Sequence, residues 1–305
     1  MAANQFFSRR TDMGARIKVS FEFFPPKTDE MEQRLWDTIT RLEPLDPQYV
    51  SVTYGAGGTT RERTARAVDR ILRESSLKPA AHMTCVDASR DEVDAVIAEF
   101  VAMGVMRFVA LRGDPAAGVG ARYQPHPDGY QNGADLVAAI RKQGDFDVSV
   151  SAYPEKHPES ADFATDIDML KRKVDNGATR AITQFFFDNE LYERYVERVR
   201  RAGIYIPIVP GVLPIHNFQQ VANFASRCGT HVPEWLAERF AGLESDPQTH
   251  ALVASAIAAE QVLDLVERGV EEFHFYTMNR ADLAFAICHL IGIRPHGRTT
   301  QAKAA

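Results

Sequence analysis

The residue with the clearest chemical potential is Glu22, a carboxylate set between Phe21 and Phe23 in the apolar run FEFFPP (21–26). A lone carboxylate in a buried strand is costly unless it is paired or protonated. An apolar pocket raises the pKa of a carboxyl group toward neutrality, which is what a general acid requires. Two interpretations follow: Glu22 is a proton donor, or it is a structural carboxylate bonded to an arginine or to backbone amides.

Two charged runs are further candidates. Arg112-Gly113-Asp114 follows an apolar segment, and its glycine would let a ligand approach the backbone while the flanking charges bind a polar ring or a phosphate. The alternative is an ion pair that closes the strand. Lys171-Arg172-Lys173 lies on a predicted helix. Taken alone, this run is typical of a solvated face, with a phosphate contact as the alternative.

The pattern predicts strands and helices that alternate along the chain. The predicted strands, dense in Val, Ile and Phe as in parallel strands covered on both faces, are 17–24, 48–54, 79–85, 107–111, 147–152, 180–186, 205–212 and 271–277. The predicted helices are 29–42, 60–74, 89–103, 133–143, 161–176, 189–202, 216–227, 248–268 and 280–291. Strict alternation implies parallel pairing with right-handed crossovers.

Eight strands favour an α/β fold of the closed (β/α)8 kind, a TIM barrel, which has about 250 residues. The alternative is a doubly wound open sheet, which usually has a glycine-rich first turn. Here the first turn, 24–27, contains no glycine, and the second, 55–60, fails G-x-G-x-x-G because Thr60 takes the last glycine position. In a barrel the active site lies at the carboxyl ends of the strands, where Glu22 and His82 fall.

Other reaction classes lack the residues they need. A Schiff-base aldolase requires a lysine on a strand, and the only strand lysine is Lys18, near the wrong end, although Lys27 and Lys156 lie in mouth loops. His82 and His157 have no HxH or HExxH companion, so a metal hydrolase is not indicated, and we expect no metal site. No G-x-S-x-G elbow occurs.

Composition narrows the class of protein. The 305 residues carry 35 Lys and Arg against 41 Asp and Glu, so the net charge is −6, and the pI near 5.9 argues against nucleic acid as a partner. Three scattered cysteines without CxxC suit a reducing compartment. No apolar run approaches the ~18 residues that cross a bilayer, and no secretory signal is evident at the N-terminus. We therefore expect a cytoplasmic protein that acts on a small molecule, without a membrane partner.

The chain is expected to form one domain. Residues 17–295 form the predicted barrel, and residues 1–16 and 296–305 are expected to be poorly ordered tails. The stretch 112–131, rich in Gly, Pro and Ala, is predicted to be a loop over the mouth of the barrel.

Several motifs together resemble one known family. They are FEFFPP (21–26), TYGAGG (53–58), HMTC (82–85), ALRGD (110–114), AYPEKHPE (152–159), KRKVDNGATRAITQFFFD (171–188), PGVLP (210–214) and FHFYTMNR (273–280). In this order and at these spacings they resemble methylenetetrahydrofolate reductase, in its compact bacterial form. The resemblance runs from about residue 17 to 295.

The resemblance implies a barrel that holds FAD non-covalently at the strand carboxyl ends. It implies ping-pong reduction of 5,10-methylenetetrahydrofolate to 5-methyltetrahydrofolate with NADH, or NADPH as the alternative, which supplies methyl groups for methionine synthesis. Glu22 matches the general acid that protonates N10, so that the ring opens to a 5-iminium cation able to accept hydride. Asp114 matches an acidic residue near the flavin pyrimidine and the folate pterin, where its charge would stabilise that cation. A homo-oligomer is also implied.

The remaining site residues are transferred from the family by position. The flavin-binding positions are Thr53, Tyr54, Ala56, His82, Arg112, Gly113, Asp114, Gly133, Tyr153, His157, Asp166, Arg172 and Lys173. The substrate-binding positions are Asp114, Gln184, Gln220, Phe224 and Arg280. The loop 115–133 carries insertions relative to compact bacterial members, and Gly133 is the flavin contact assigned there. Two rival hypotheses remain: a non-redox barrel lyase or aldolase that uses Glu22, and a folate- or flavin-binding barrel without turnover.

Overall fold

A computed structural model describes residues 17–55, 60–115 and 123–296 of the chain. The predicted tail 1–16, most of the predicted tail 296–305, Ala56 and the middle of the predicted mouth loop lie outside the described residues.

The described chain alternates strands and helices. The strands are β1 (Lys18–Phe23), β2 (Tyr49–Val52), β3 (Pro79–Thr84), β4 (Arg107–Leu111), β5 (Asp147–Ala152), β6 (Arg180–Thr183), β7 (Ile208–Val209), β8 (Gly211–Val212) and β9 (Glu272–Tyr276). The helices are α1 (Asp29–Leu42), α2 (Arg61–Glu74), α3 (Arg90–Ala102), α4 (Gly133–Gln143), α5 (Phe163–Asp175), α6 (Asn189–Arg201), α7 (Phe218–Cys228), α8 (Glu234–Phe240), α9 (Pro247–Glu267) and α10 (Ala281–Leu290). A short 3₁₀ turn, Glu43–Leu45, follows α1.

All strand pairs are parallel, in the order β7-β6-β5-β4-β3-β2-β1-β9-β8. The two ends of this order, β7 and β8, are separated in the chain by Pro210 alone, so the sheet closes into a barrel. Proline has no N–H to donate to the ladder, which explains why the single predicted strand 205–212 is two short strands here. The (β/α)8 prediction is confirmed, with nine strand segments making up eight strand positions.

Hydrogen bonds from side chains and from the backbone hold the seam around Pro210 together. The Gly211 N–H donates to Thr183 Oγ1 (2.9 Å), and the Tyr276 hydroxyl donates to the Thr183 carbonyl oxygen (2.7 Å). The Pro210 carbonyl oxygen accepts from the His274 N–H (3.0 Å). The register of the seam therefore depends on three contacts of different kinds.

Alternation along the strands divides the side chains between helix layer and lumen. Phe21 and Phe23 of β1 are fully buried in the main core between sheet and helices, so Glu22 points the opposite way, into the lumen. At the amino ends of the strands, ion pairs close the lumen. Asp147 pairs with Arg107 and Arg180, and Glu272 pairs with Arg180 and Lys18.

A second hydrophobic core lies beneath α7, α8 and α9. Helix α8 was not predicted, because seven residues give too short an apolar period to stand out. Helix α9 is long and apolar enough to span a membrane by length and composition, which the sequence analysis did not anticipate. Five of its buried residues join the two cores: Ala254 and Ile257 belong to the second core, and Ala258, Val262 and Leu265 to the main core.

The seam gives the first testable prediction. A Cβ added at Gly211 would lie 2.3 Å from the Thr183 carbonyl oxygen and 2.5 Å from Tyr276 Cε2. Gly211→Ala should therefore lower the free energy of unfolding by about 3 kcal/mol, measured by urea denaturation. Gly203→Ala is the control: its added Cβ meets nothing within 4 Å, but φ is +75°, so we expect a loss of about 1 kcal/mol. Equal losses in the two variants would contradict a tight seam.

Candidate active site

The Glu22 carboxylate lies between two imidazoles. Its Oε2 is 3.4 Å from His82 Nε2 and 3.7 Å from His274 Nε2, and all three side chains are buried. These are ion-pair distances, but neither Nε2 atom has a hydrogen-bond partner among the described residues. The prediction that apolar side chains surround Glu22 is therefore wrong in this respect. The flanking phenylalanines face the helices, and the lumen presents imidazole nitrogen atoms to the carboxylate.

Each imidazole is fixed by its surroundings. The Nδ1 atom of His274 is 2.7 Å from Ser20 Oγ, and its ring stacks on Tyr49 with centroids 6.0 Å apart. Burial lowers the pKa of His82 from 6.5 to about 4, against the opposing effect of Glu22. His82 is thus a neutral imidazole at neutral pH, held beside an acid.

A second part of the mouth has the groups that could hold an anion. The buried Lys173 ammonium donates to Ser151 at its carbonyl oxygen (3.0 Å) and Oγ (3.2 Å), and burial lowers its pKa to about 8. Gly133, the first residue of α4, lies against it, since an added Cβ would be 3.4 Å from Lys173 Cε and 3.7 Å from Arg112 N. A helix N-terminus beside buried positive charge is a favourable anion site.

The Arg112 guanidinium is held by two hydrogen bonds to Glu159 (2.7 and 2.8 Å) and lies 4.3 Å from the centroid of the Tyr123 ring. An ion pair does close this strand, but its carboxylate is Glu159. Gly113 has φ +85°, and a Cβ there would lie 2.5 Å from Val86 Cγ1. The glycine is therefore required by the backbone and by packing, whether or not a ligand approaches it.

The basic run 171–173 divides among three environments. Lys171 pairs with Asp175 one turn later, Arg172 is exposed, and Lys173 points into the barrel. Adjacent helical positions point about 100° apart, so the three residues need not share one role. Lys171 and Arg172 fit the solvated-face interpretation, and the buried Lys173 fits the anion-binding one.

The loop after β5 is anchored by Asp166. This buried carboxylate accepts from the His157 N–H (3.2 Å) and from Ser160 Oγ (2.9 Å). The Tyr153 ring meets the His157 ring edge-on at 4.6 Å, and burial, with a contribution from Asp114, raises the pKa of Tyr153 to about 12. Asp166 therefore shapes the loop from which Tyr153 and His157 project.

The remaining site residues line the rim. Asp114 is exposed just past β4. Burial raises the pKa of Cys228, at the end of α7, to about 11, and the negative charge of Asp114 adds to this effect. Phe224 stacks on Phe185 at 5.5 Å, and Gln220 is exposed one turn earlier on α7. The half-buried members that follow β2 and β6 are Thr53, Tyr54 and Gln184.

Arg280 is the exposed N-cap residue of α10. It lines a cavity of about 440 Å³ together with His216 and Phe218. Burial lowers the pKa of His216 to about 4, and the positive charge of Arg280 contributes to the same effect. Arg280 thus lies on the α7 side of the mouth, the side that also carries Gln220.

Sequence reasoning did not single out His274, Ser151 or Glu159. His274 could have been found, because it alternates with Tyr276 on β9 and must face the lumen with it. Ser151 and Glu159 are ordinary polar residues that matter because they contact Lys173 and Arg112. A single sequence does not reveal these contacts.

A parallel barrel with a buried acid near the carboxyl end of one strand, and with a cationic corner formed by Arg112 after β4 and Lys173 against β5, has the arrangement of a (β/α)8 enzyme. The profile of the methylenetetrahydrofolate reductase family matches residues 7–292. The chain is 47% identical over 285 residues to the 5,10-methylenetetrahydrofolate reductase of Pectobacterium carotovorum, covering 93% of each chain. It is also 47% identical over 284 residues to that of Escherichia coli, covering 93% of this chain and 94% of that one. The chain belongs to the methylenetetrahydrofolate reductase family.

A solved structure shows the same fold at low identity. It is an uncharacterized protein from Clostridium thermocellum that binds two copies of 5-methyl-5,6,7,8-tetrahydrofolic acid, with TM-score 0.61 and 15% identity, covering 96% of this chain and 98% of that one. This likeness concerns the barrel alone.

The buried His82 predicts a loss of stability in acid. Its folded pKa, about 4, lies below the 6.5 of the unfolded chain, so the unfolded state takes up the proton first as pH falls. The stabilisation is complete above pH 6.5 and is lost as pH falls to 4, by about 3 kcal/mol. Urea unfolding of His82→Gln should therefore depend less steeply on pH than that of the parent across this range. His289→Gln, at an exposed histidine, should follow the parent curve; identical curves for all three proteins would contradict the buried neutral imidazole.

Proposed function

We propose that this protein reduces 5,10-methylenetetrahydrofolate to 5-methyltetrahydrofolate, with NADH or NADPH as reductant and FAD as carrier, in a ping-pong sequence. The observation that supports this most is the 47% identity to reductases named for this reaction, over 93% of the chain. The family match, 7–292, contains every residue to which we assign a role.

Glu22 is the proposed general acid. Its carboxylate is buried in the lumen near the carboxyl end of β1, the end of the barrel at which substrates bind in this fold. Protonation of folate N10 by Glu22 opens the five-membered ring and leaves an electrophilic iminium carbon. The neutral His82 and the neighbouring His274 place ring nitrogens beside the acid, and these two imidazoles are its ion-pair partners among the described residues.

The residues at the cationic corner fit FAD. Lys173, Arg112 and the N-terminus of α4 at Gly133 would hold its pyrophosphate, and Tyr153 and His157 offer aromatic surface beside them. When bound, FAD supplies a two-electron carrier between the nicotinamide and the folate. The family positions Thr53, Tyr54, Ala56, His82, Gly113, Asp114, Asp166 and Arg172 complete the proposed flavin site.

The folate is proposed to lie under α7. Gln184 and the Phe224 ring, which stacks on Phe185, offer an amide and an aromatic face to a pterin. Asp114 would stabilise the cationic carbon electrostatically, and the exposed Gln220 and Arg280 would contact the acidic end of the substrate. The product would supply methyl groups for methionine synthesis in the cytoplasm, and we propose a homo-oligomer.

The purified protein itself tests this proposal. It should be yellow, lose its colour anaerobically with NADH, and regain it when methylenetetrahydrofolate is added. Comparison of NADH with NADPH in the bleaching step gives the nicotinamide preference. A colourless protein that takes up no added FAD would overturn the proposal and leave the lyase hypothesis.

Replacement of the acid should separate the two half-reactions. Glu22→Gln should bind FAD and be reduced by NADH at the parental rate, because that step needs no proton on N10. Reoxidation by methylenetetrahydrofolate should slow by about 10²-fold to 10⁴-fold, measured by anaerobic stopped flow. Glu234→Gln, at an exposed carboxylate on α8, is the matched control and should behave as the parent. Equal losses in both half-reactions would assign Glu22 to folding or flavin binding.

Two lysines of one helix test the cationic corner. Lys173→Met should weaken FAD binding by about 10-fold to 100-fold, because it removes a charge-assisted hydrogen bond to the pyrophosphate. Lys171→Met, two positions earlier and paired with Asp175, should bind FAD as the parent does. Fluorescence titration of the apoprotein with FAD measures both, and equal affinities would contradict the assigned corner.

A further inference from the structure

The turn that follows β9 has an unusual backbone. β9 pairs with β1 as far as Tyr276 opposite Glu22, and the chain then passes through Met278 and Asn279, both in the left-handed region with φ 53° and 54°. A left-handed residue other than glycine costs about 1 to 2 kcal/mol, and less for asparagine, so Met278 carries most of the strain in this turn. Such strain persists only where the surroundings enforce it, and it clusters at functional sites.

In this turn the Asn279 side chain takes the place of a backbone peptide group in the pairing with β1. The Phe24 N–H donates to Asn279 Oδ1, and Asn279 Nδ2 donates to the Phe24 carbonyl oxygen, both at 2.9 Å. The amide of asparagine has the donor and acceptor of a peptide group, so Asn279 continues the pairing of β1 after β9 has turned away. Pro25 and Pro26 follow directly and have no N–H, so they cannot continue it themselves.

The same turn also holds Glu22. The Glu22 carbonyl oxygen accepts from Thr277 Oγ1 (2.6 Å), and Thr277 Oγ1 in turn accepts from the Asn279 N–H (3.2 Å). The Asn279 carbonyl oxygen accepts from Thr38 Oγ1 of α1 (3.0 Å). Thr277 is fully buried and Asn279 is 5% exposed, so water does not compete for these bonds.

We infer that Asn279 is a positioning residue for the acid: its double hydrogen bond to Phe24 fixes the backbone beside Glu22 and thereby aims the carboxylate between the two imidazoles. This inference rests on the proposed role of Glu22. It explains why the chain tolerates two left-handed residues here, because this turn brings the Asn279 amide back onto β1.

Two substitutions test the inference. Asn279→Gly keeps the left-handed backbone favourable and removes both side-chain bonds. Asn279→Asp keeps the acceptor for the Phe24 N–H but sets an oxygen against the Phe24 carbonyl oxygen, so it gives a second measurement if the glycine variant unfolds easily. Asn176→Gly is the control, because Asn176 is exposed and donates one bond to Arg172 O.

The expected result is selective. In both Asn279 variants, reoxidation by methylenetetrahydrofolate should slow by about 10²-fold, the cost of a small misplacement of a catalytic group. Reduction by NADH, retention of FAD, and the affinity for 5-methyltetrahydrofolate measured by calorimetry should stay within about twofold of the parent. A role confined to stability would lower the unfolding temperature and leave both half-reactions unchanged in the folded protein, and that result would overturn the inference.

A double-mutant cycle identifies the group through which Asn279 acts. On a Glu22→Gln background, Asn279→Gly should cause no further loss in the folate half-reaction, because the group it aims is already gone. Multiplicative losses would show that Asn279 acts elsewhere and would overturn the inference while leaving the proposed reaction intact. A parent protein without folate turnover would overturn both.

Discussion

The burial of one carboxylate governs the organisation of this barrel. Glu22 lies in the lumen of a closed sheet, where an unpartnered charge is costly, and polar side chains from three strands surround it there. His82 comes from β3, His274 from β9, and Ser20 from β1 itself. Because these groups belong to different strands, the arrangement depends on the register of β3, β2, β1 and β9.

The charged groups at the two ends of the barrel have different surroundings. At the amino ends, Arg107, Asp147, Arg180, Glu272 and Lys18 pair with one another and close the lumen. At the carboxyl ends, charged groups are left facing the mouth or are held by loops. Stability at one end and chemistry at the other is the usual division in this fold, and it lets the mouth carry strained turns and buried charge.

Much of the fold could be predicted, because local pattern and topology agree. The helices 29–42 and 133–143 and the strands 107–111 and 147–152 have the predicted bounds, since each has a clear period and a clear end. The split at Pro210 and the short helix α8 could not be predicted: the first depends on which residues close the barrel, and the second on a core assembled from distant segments.

The site was predictable in outline but not in its contacts. Strand ends alone placed Glu22 and His82 at one mouth, and the family resemblance supplied the flavin and folate positions. Three features depend on contacts across the barrel. They are the partner of Arg112, the environment of each lysine in the 171–173 run, and the imidazoles around Glu22. Such pairings follow from register, which a single sequence does not contain.

The interruption at Pro210 also makes the barrel mechanically uneven. Elsewhere a continuous ladder ties each strand to both neighbours, but here two two-residue strands each pair on one side only, and the Thr183 hydroxyl and the Tyr276 phenol bridge the break. Local opening is easiest where fewest backbone bonds must break together, so we expect the wall to open at this seam before it opens elsewhere. It runs below Gln184 and α7, so the stretch of the sheet with the shortest backbone ladders lies under the half of the mouth assigned to the exchanging substrate.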